Sequence, residues 1–135
     1  MYGNPTFHCD GADIRAHCRQ LATVVKISGH LDVRNVERAG RYIDRFILPE
    51  KPFVLDLSDI DSFTEEAISL LFVIDDLCTA AGEEWSMIAS RAVEQTLSAA
   101  GIDFPATGSV PEALNHFADA MVARRQLLPL LTKTA

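Results

Sequence analysis

Three sets of residues have the types that chemistry requires. Serine, histidine and aspartate all occur, so nucleophilic catalysis is the first class to test. Ser58 follows an apolar run, but Leu57 and Asp59 flank it where a nucleophile elbow needs glycines. It reads as a turn serine bonding local backbone. No glycine-rich segment runs into Gly-Lys-Ser/Thr, so a phosphate-cradling loop is missing as well. His8-Cys9 and His17-Cys18 repeat a pair of metal-ligand types. Their spacing fits no common zinc pattern, and adjacent strand residues face opposite sides, so no metal site is expected. A Cys9–Cys18 disulfide acting as a transient redox switch is an alternative, provided that the opening segment pairs with the first strand. Cys78 lies on an apolar stripe and reads as a small core residue.

Glu65 and Glu66 form the third set. Paired glutamates serve acid–base or metal chemistry when they converge on one atom. Neighbours on a helix point about 100° apart, so these two do not. Their simpler role is helix design: Thr64 caps, and two carboxylates in the first turn favour the positive end of the helix dipole, about 0.3–1 kcal/mol each. The case for catalysis at this pair is weak, no residue is assigned a catalytic role, and no cofactor is expected.

The elements that position these residues follow from periodicity. Residues 1–11 are turn-rich and read as a leader or short edge strand. Ala12–Cys18 alternates, with Ile14, Ala16 and Cys18 on one side. Thr23–Ile27 is β-branched and ends at Ser28-Gly29, completing a hairpin. Asp32 is the expected N-cap of a helix whose stripe is Val33, Val36, Gly40, Ile43 and Ile47, closed by Pro49 and Pro52. Phe53-Val54-Leu55 is a buried strand closing on Asp56-Leu57-Ser58, and Asp59–Phe63 is a polar loop. Ala67, Leu70, Leu71, Ile74, Leu77, Cys78 and Ala81 then mark a second helix, stopped by Gly82. Trp85–Ala89 is a strand and Ala92–Ala100 a helix between Ser90 and Gly101. Phe104–Thr107 is a candidate short strand. Ser109, Pro111 and Glu112 form a capping box for a last helix with the stripe Ala113, Leu114, Phe117, Met121 and Val122. Pro129 turns residues 127–135 into a tail.

Alternating strands and helices imply crossover units. The fold class is α/β: one domain over 12–126, with a mixed, mostly parallel sheet of four to five strands and about four helices packed on it. At 135 residues with 48% apolar and 23% charged side chains, the chain is an ordinary single globular domain. Its formal charge of -7 speaks against a general nucleic-acid binder. No run approaches membrane-spanning length and no secretory signal opens the chain, so a cytoplasmic location is expected. Three scattered cysteines do not make a secreted disulfide framework.

With these elements in place, two segments carry a family resemblance. Gly29-His30-Leu31-Asp32 stands before the first helix, and Val54-Leu55-Asp56-Leu57-Ser58 forms the central strand. Trp85–Ala89 and Ser109-Val110-Pro111-Glu112-Ala113-Leu114 extend the match over nearly the whole chain. The sequence resembles the STAS domain (sulfate transporter and anti-sigma-factor antagonist), in its free-standing bacterial anti-sigma factor antagonist form. That resemblance implies a STAS-like fold and a partner-switching protein of transcription regulation, not an enzyme, which binds an anti-sigma factor, often a kinase-like ATPase. It also implies a phosphorylated serine at the start of the helix after the central strand. The family commonly reads Asp-Ser-Ser-Gly there. Thr64 takes the aspartate's place, Glu65 the first serine's, Glu66 the acceptor's and Ala67 the glycine's. Glu66 takes no phosphate. Either the protein is always competent to bind, or Glu66 partly mimics phosphoserine and holds off a kinase-type partner. Thr64 is the foremost alternative acceptor, with Ser62 and Ser69 behind it. The implied partner surface comprises Asp32, Asp56, Ser58, Thr64, Glu65, Glu66 and Ser69. A different protein partner, a redox-sensitive regulator through Cys9 and Cys18, and a nucleotide or lipid ligand are the rival readings. A homodimer is left open.

Overall fold

Cys9 and Ala12 face each other across a tight turn at Asp10 and Gly11, both with positive φ (41° and 97°). The computed structural model describes residues 5–134, with side-chain surroundings as far as residue 123. The opening segment is thus an edge strand, β1 (Phe7–Cys9), antiparallel to β2 (Ala12–Cys18). Alternation along β2 buries Ala12, Ile14 and Ala16; Cys18, expected on the same side, is exposed at the strand's end. β3 (Thr23–Leu31) returns antiparallel to β2, with Cys18 opposite Thr23.

β3 does not stop at Ser28-Gly29. It runs on to Leu31 through two register shifts, between Lys26 and Ser28 and between Gly29 and His30. Gly29 permits this with φ 98°, and a methyl there would strike the Gly11 carbonyl oxygen. The longer β3 gives its neighbour more to pair with. β4 is therefore an eleven-residue strand, Phe53–Phe63, where a short strand and a polar loop were expected. Gly29, His30 and Leu31 pair with Ile60, Ser62 and Phe63, and the buried Ile60 and Phe63 anchor that half of β4 in the core. β5 (Trp85–Ala89) pairs parallel to β4 and completes the order β1-β2-β3-β4-β5. Ala106 makes one parallel bridge to Met87, which is what remains of the short strand expected at 104–107. Of the four pairings the first two are antiparallel and the last two parallel, so the sheet is mixed, without a parallel majority.

Three helices cover one face. α1 (Val36–Asp44) sets Val36, Ala39 and Ile43 against it. α2 (Ile68–Ala81) adds Leu70, Leu71, Ile74 and Cys78, and α3 (Arg91–Ala100) adds Val93 and Leu97. They meet Ile14, Val25, Ile27, Leu55, Leu57 and Met87 from the strands. Truncating a filled position such as Leu71 to alanine is expected to cost about 2–5 kcal/mol. α4 (Val110–Thr134) lies on the other face, packing Ala113 and Phe117 on Ala22, Val24, Val54 and Ile88. α4 is helical past Pro129 as far as Thr134, across most of the segment expected as a tail.

Caps behave as the sequence suggests at several ends. The Val93 amide donates to Ser90 Oγ at 3.3 Å, and Gly82 and Gly101 take the left-handed conformation after α2 and α3. Glu112 N–H donates to Ser109 Oγ at 3.2 Å, while the Glu112 carboxylate reaches back to the Gly108 amide at 2.9 Å. Two apolar assignments fail. Val33 is 68% exposed, on a turn before α1, and Val122 is 52% exposed on α4.

Candidate partner-binding surface

The parallel pairing of β3 with β4 ends at Leu31 and Phe63, and the Thr64 amide donates to the Leu31 carbonyl at 3.1 Å. Asp32 and Thr64 therefore leave the sheet side by side. From Asp32 the chain makes a turn before α1. The Arg34 and Asn35 regions close it: the Arg34 amide donates to Asp32 Oδ1 at 2.9 Å, and the Asn35 and Val36 amides donate to the Asp32 carbonyl. Asp32 caps this turn, and Asn35 occupies the position before the helix. The Arg34 guanidinium also bonds Asp32 Oδ2 at 3.1 Å. These two Arg34 hydrogen bonds, the guanidinium's first, hold the Asp32 carboxyl below its ordinary value.

Asn35 is fully buried and was not foreseen as a structural centre. Its side-chain nitrogen donates to the carbonyls of His30, Asp10 and Cys9, and its oxygen accepts from the Asp32 amide. One side chain thus fastens the β1–β2 turn, the end of β3 and the Asp32 turn together. A polar residue beside an apolar helical stripe was the available signal.

From Thr64 the chain makes a single 3-10 turn, Glu65–Ala67, before α2. Glu65, Glu66 and Ser69 are exposed, and Ser69 Oγ donates to the Glu66 carbonyl at 2.9 Å. Thr64 differs from expectation. Its hydroxyl makes no capping bond; the Ala67 amide goes to the Thr64 carbonyl instead. Its Oγ1 is shut off from solvent without a partner. In this conformation a kinase does not reach it, which weakens Thr64 as an alternative acceptor. The Phe63 carbonyl just before it accepts from Thr96 Oγ1 on α3 at 2.6 Å. That anchor was also unforeseen, because nothing in the sequence ties residue 96 to residue 63.

Asp56 and Ser58 do not join this group. Both lie within β4, and at about 3.3 Å per residue Ser58 stands roughly 20 Å along the strand from Thr64. Asp56 is buried, in register with Lys26, and accepts from the Ser58 amide at 3.0 Å and the Ser58 hydroxyl at 2.6 Å. Next to them Lys26 bonds Asp59 at 2.7 Å; that hydrogen bond raises the Lys26 pKa. The reason for the correction is the length of β4: the loop that was to carry these residues to the helix start is strand.

The cysteines are separated too. Cys9 lies opposite Ala12 and Cys18 opposite Thr23, at the two ends of β2, and all three cysteines are free. Six residue steps along β2, from Ala12 to Cys18, put Cys9 and Cys18 about 20 Å apart, so they form no disulfide without remodelling the hairpin. Among the described residues no group of three or more His, Cys, Asp or Glu side chains is placed to hold a metal ion. No helix among them is long and apolar enough to cross a membrane.

Comparison with known proteins agrees with this architecture. The profile of the STAS domain matches residues 13–113. Osmosensory protein A of Mycobacterium tuberculosis is 43% identical over 140 aligned residues, covering 98% of this chain and 89% of that protein. An anti-sigma factor antagonist from Mycobacterium paratuberculosis superposes with a TM-score of 0.70 at 19% identity, over 81% of this chain and 96% of the other. A serine-to-glutamate variant of RsbS from Moorella thermoacetica gives 0.67 at 21% identity, over 82% and 97%. Unphosphorylated SpoIIAA, an anti-sigma factor antagonist, gives 0.66 at 12% identity, over 78% and 96%. With the STAS profile matched over residues 13–113 and a relative 43% identical along nearly its whole length, the chain belongs to the STAS domain family.

Proposed function

We propose that this chain is a non-enzymatic regulatory protein of the anti-sigma factor antagonist kind. It binds an anti-sigma factor or a kinase-like regulatory protein through the Asp32 turn and the Thr64–Ser69 helix start. The observation that carries this reading is the exposed Glu65-Glu66-Ser69 surface beside Asp32, at the carboxyl ends of β3 and β4. Open α/β sheets present their binding sites at that end. Support also comes from the family and from the fold shared with anti-sigma factor antagonists.

Glu66 stands where the resemblance puts the phosphorylated serine. A phosphate adds about -1.5 to -2 charge and is removable; a carboxylate carries a single permanent charge. Regulation at this position by phosphorylation is therefore lost. The partner has either constant access or a constant partial block, and Glu66→Ser separates the two: affinity is unchanged in the first regime and rises in the second.

Titration calorimetry against the anti-sigma factors and kinase-like regulators of the source organism tests the reading. Asp32→Arg is expected to weaken a true partner by about tenfold or more, since it reverses a charge at the centre of the surface. Failure of every such candidate to bind the unaltered chain would sink the proposal.

A further inference from the structure

A cleft of about 480 Å³ runs between α1 and α2, opening at Glu66 and Ser69 and continuing away from them as far as Leu77. Its walls are aliphatic. Val33 is 68% exposed at one end and Val73 42% exposed along α2, so the apolar lining of the cleft reaches the surface. Gly40, inside α1, keeps the floor open: a Cβ there would meet only Leu70 Cδ1, at 3.6 Å. Glycine in a helix interior is less favourable than alanine, a local cost that the fold itself does not require here.

The rim is acidic. Glu37, Asp44 and Glu66 face a single arginine, Arg41, which already lies 4.0 Å from the Glu37 carboxylate. Along α2 the cleft extends from Glu66 to Leu77, about 16 Å at 1.5 Å per residue. The walls are helices whose backbone is internally bonded, so there is no free edge for an added strand.

We propose that this groove seats an amphipathic helix of the protein partner, about three turns long, with aliphatic residues at i, i+3/i+4 and i+7 and Lys or Arg beside them. The inference rests on reading Glu65–Ser69 as the partner surface and extends it along α2. A second copy of this chain fits poorly, because a net charge of -7 and two acidic rims would repel. The basic flanks of a partner helix complement the rim and confer salt-dependent association.

The probe is a synthetic, end-blocked helical peptide of about four turns with leucine on one face and lysine on its flanks, titrated into the full-length chain. Nitrogen-15 NMR should show shifts at Val33, Gly40, Val73 and Leu77, and anisotropy should show binding that weakens with salt. The same peptide with glutamate for lysine should not bind. Gly40→Phe, which fills the floor, and Val73→Glu, which charges an exposed wall, should each lower affinity by about tenfold or more. Gly40→Ala adds only a methyl and should keep binding. The proposal is overturned if the lysine peptide leaves these residues unshifted, if the glutamate peptide binds as well, or if neither variant weakens binding. Concentration-dependent shifts at the same residues without peptide would assign the groove to a second copy and overturn it too. With a real partner in hand, binding lost in Asp32→Arg but intact in Gly40→Phe and Val73→Glu overturns the groove alone. Binding intact in all three overturns the surface itself.

Discussion

The Asn35 side-chain nitrogen donates to the His30 carbonyl at 2.9 Å, and through that bond the last residues of β3 are held to the start of α1. Because the same amide also serves Asp10, Cys9 and Asp32, its loss strands several buried groups at once. Asn35→Ala is expected to lower unfolding free energy by about 2–4 kcal/mol, since each unsatisfied buried group costs about 1–3. Urea denaturation checks it. A loss under 1 kcal/mol would mean that water replaces the amide.

Gly29 and Gly82 both have positive φ, at 98° and 72°, but different surroundings. A side chain at Gly29 meets the Gly11 backbone, whereas one at Gly82 meets nothing within 4 Å. Gly82→Ala should therefore cost about 1 kcal/mol from backbone conformation alone. Gly29→Ala should cost at least twice that, or fail to fold. Equal melting temperatures for the two variants would contradict the close approach.

Glu66→Ser is expected to change stability by no more than about 0.5 kcal/mol, because the side chain is exposed and makes no ion pair among the described residues. A denaturation curve shifted well beyond that would move the residue out of a binding role and into a structural one.

Much of this was legible in sequence where one residue type has one physical job. Ser90, Gly82, Gly101 and the Ser109–Glu112 box act as their chemistry dictates. The length of β4 was hidden, because Asp59, Asp61 and Ser62 look like loop until β3 is known to reach Leu31, with Ser28 pairing Asp59, Gly29 pairing Ile60 and His30 pairing Ser62. Val33 looked like a helical stripe residue because its spacing to Val36 is right, yet the Asp32 turn delays the helix until Val36. Asn35 and Thr96 act across 25 and 33 residues of chain, to Asp10 and Phe63, a range that periodicity does not carry. Of the seven residues expected at the partner surface, Asp32, Thr64, Glu65, Glu66 and Ser69 come together, while Asp56 and Ser58 stay behind on the strand.

The three thiols should differ sharply in reactivity. Cys18 is exposed, whereas Cys9 and Cys78 are buried. Burial raises the thiol pKa of Cys9, and that of Cys78 to about 12. A disulfide reagent at pH 8 should modify Cys18 quickly and the others only on unfolding, as mass spectrometry can count. The unfolded Cys78 thiol ionises near about pH 8.5, so between there and about 12 the unfolded chain binds fewer protons and stability falls as pH rises. Cys78→Ala should flatten that alkaline decline.

Asp32 works in the opposite direction. Its folded pKa is depressed by Arg34, so its contribution is full above the unfolded value of about 3.9 and fades as pH falls through the lower folded value. Urea midpoints of the unaltered chain and Asp32→Asn should differ at pH 7 and draw together as pH falls below about 3.9. A gap that persists in acid would show that the turn is held by the neutral carboxyl's geometry.

The bond from Thr96 to the Phe63 carbonyl has a kinetic consequence. It fixes the chain from behind immediately ahead of Glu65, so a partner meets a helix start that needs little ordering before contact. Encounter is then governed by charge and diffusion, and variants of this surface should separate mainly by how long the complex lasts. Thr96→Val, which cuts the anchor while leaving the outward residues untouched, would slow arrival instead, by making the partner wait for the right conformation.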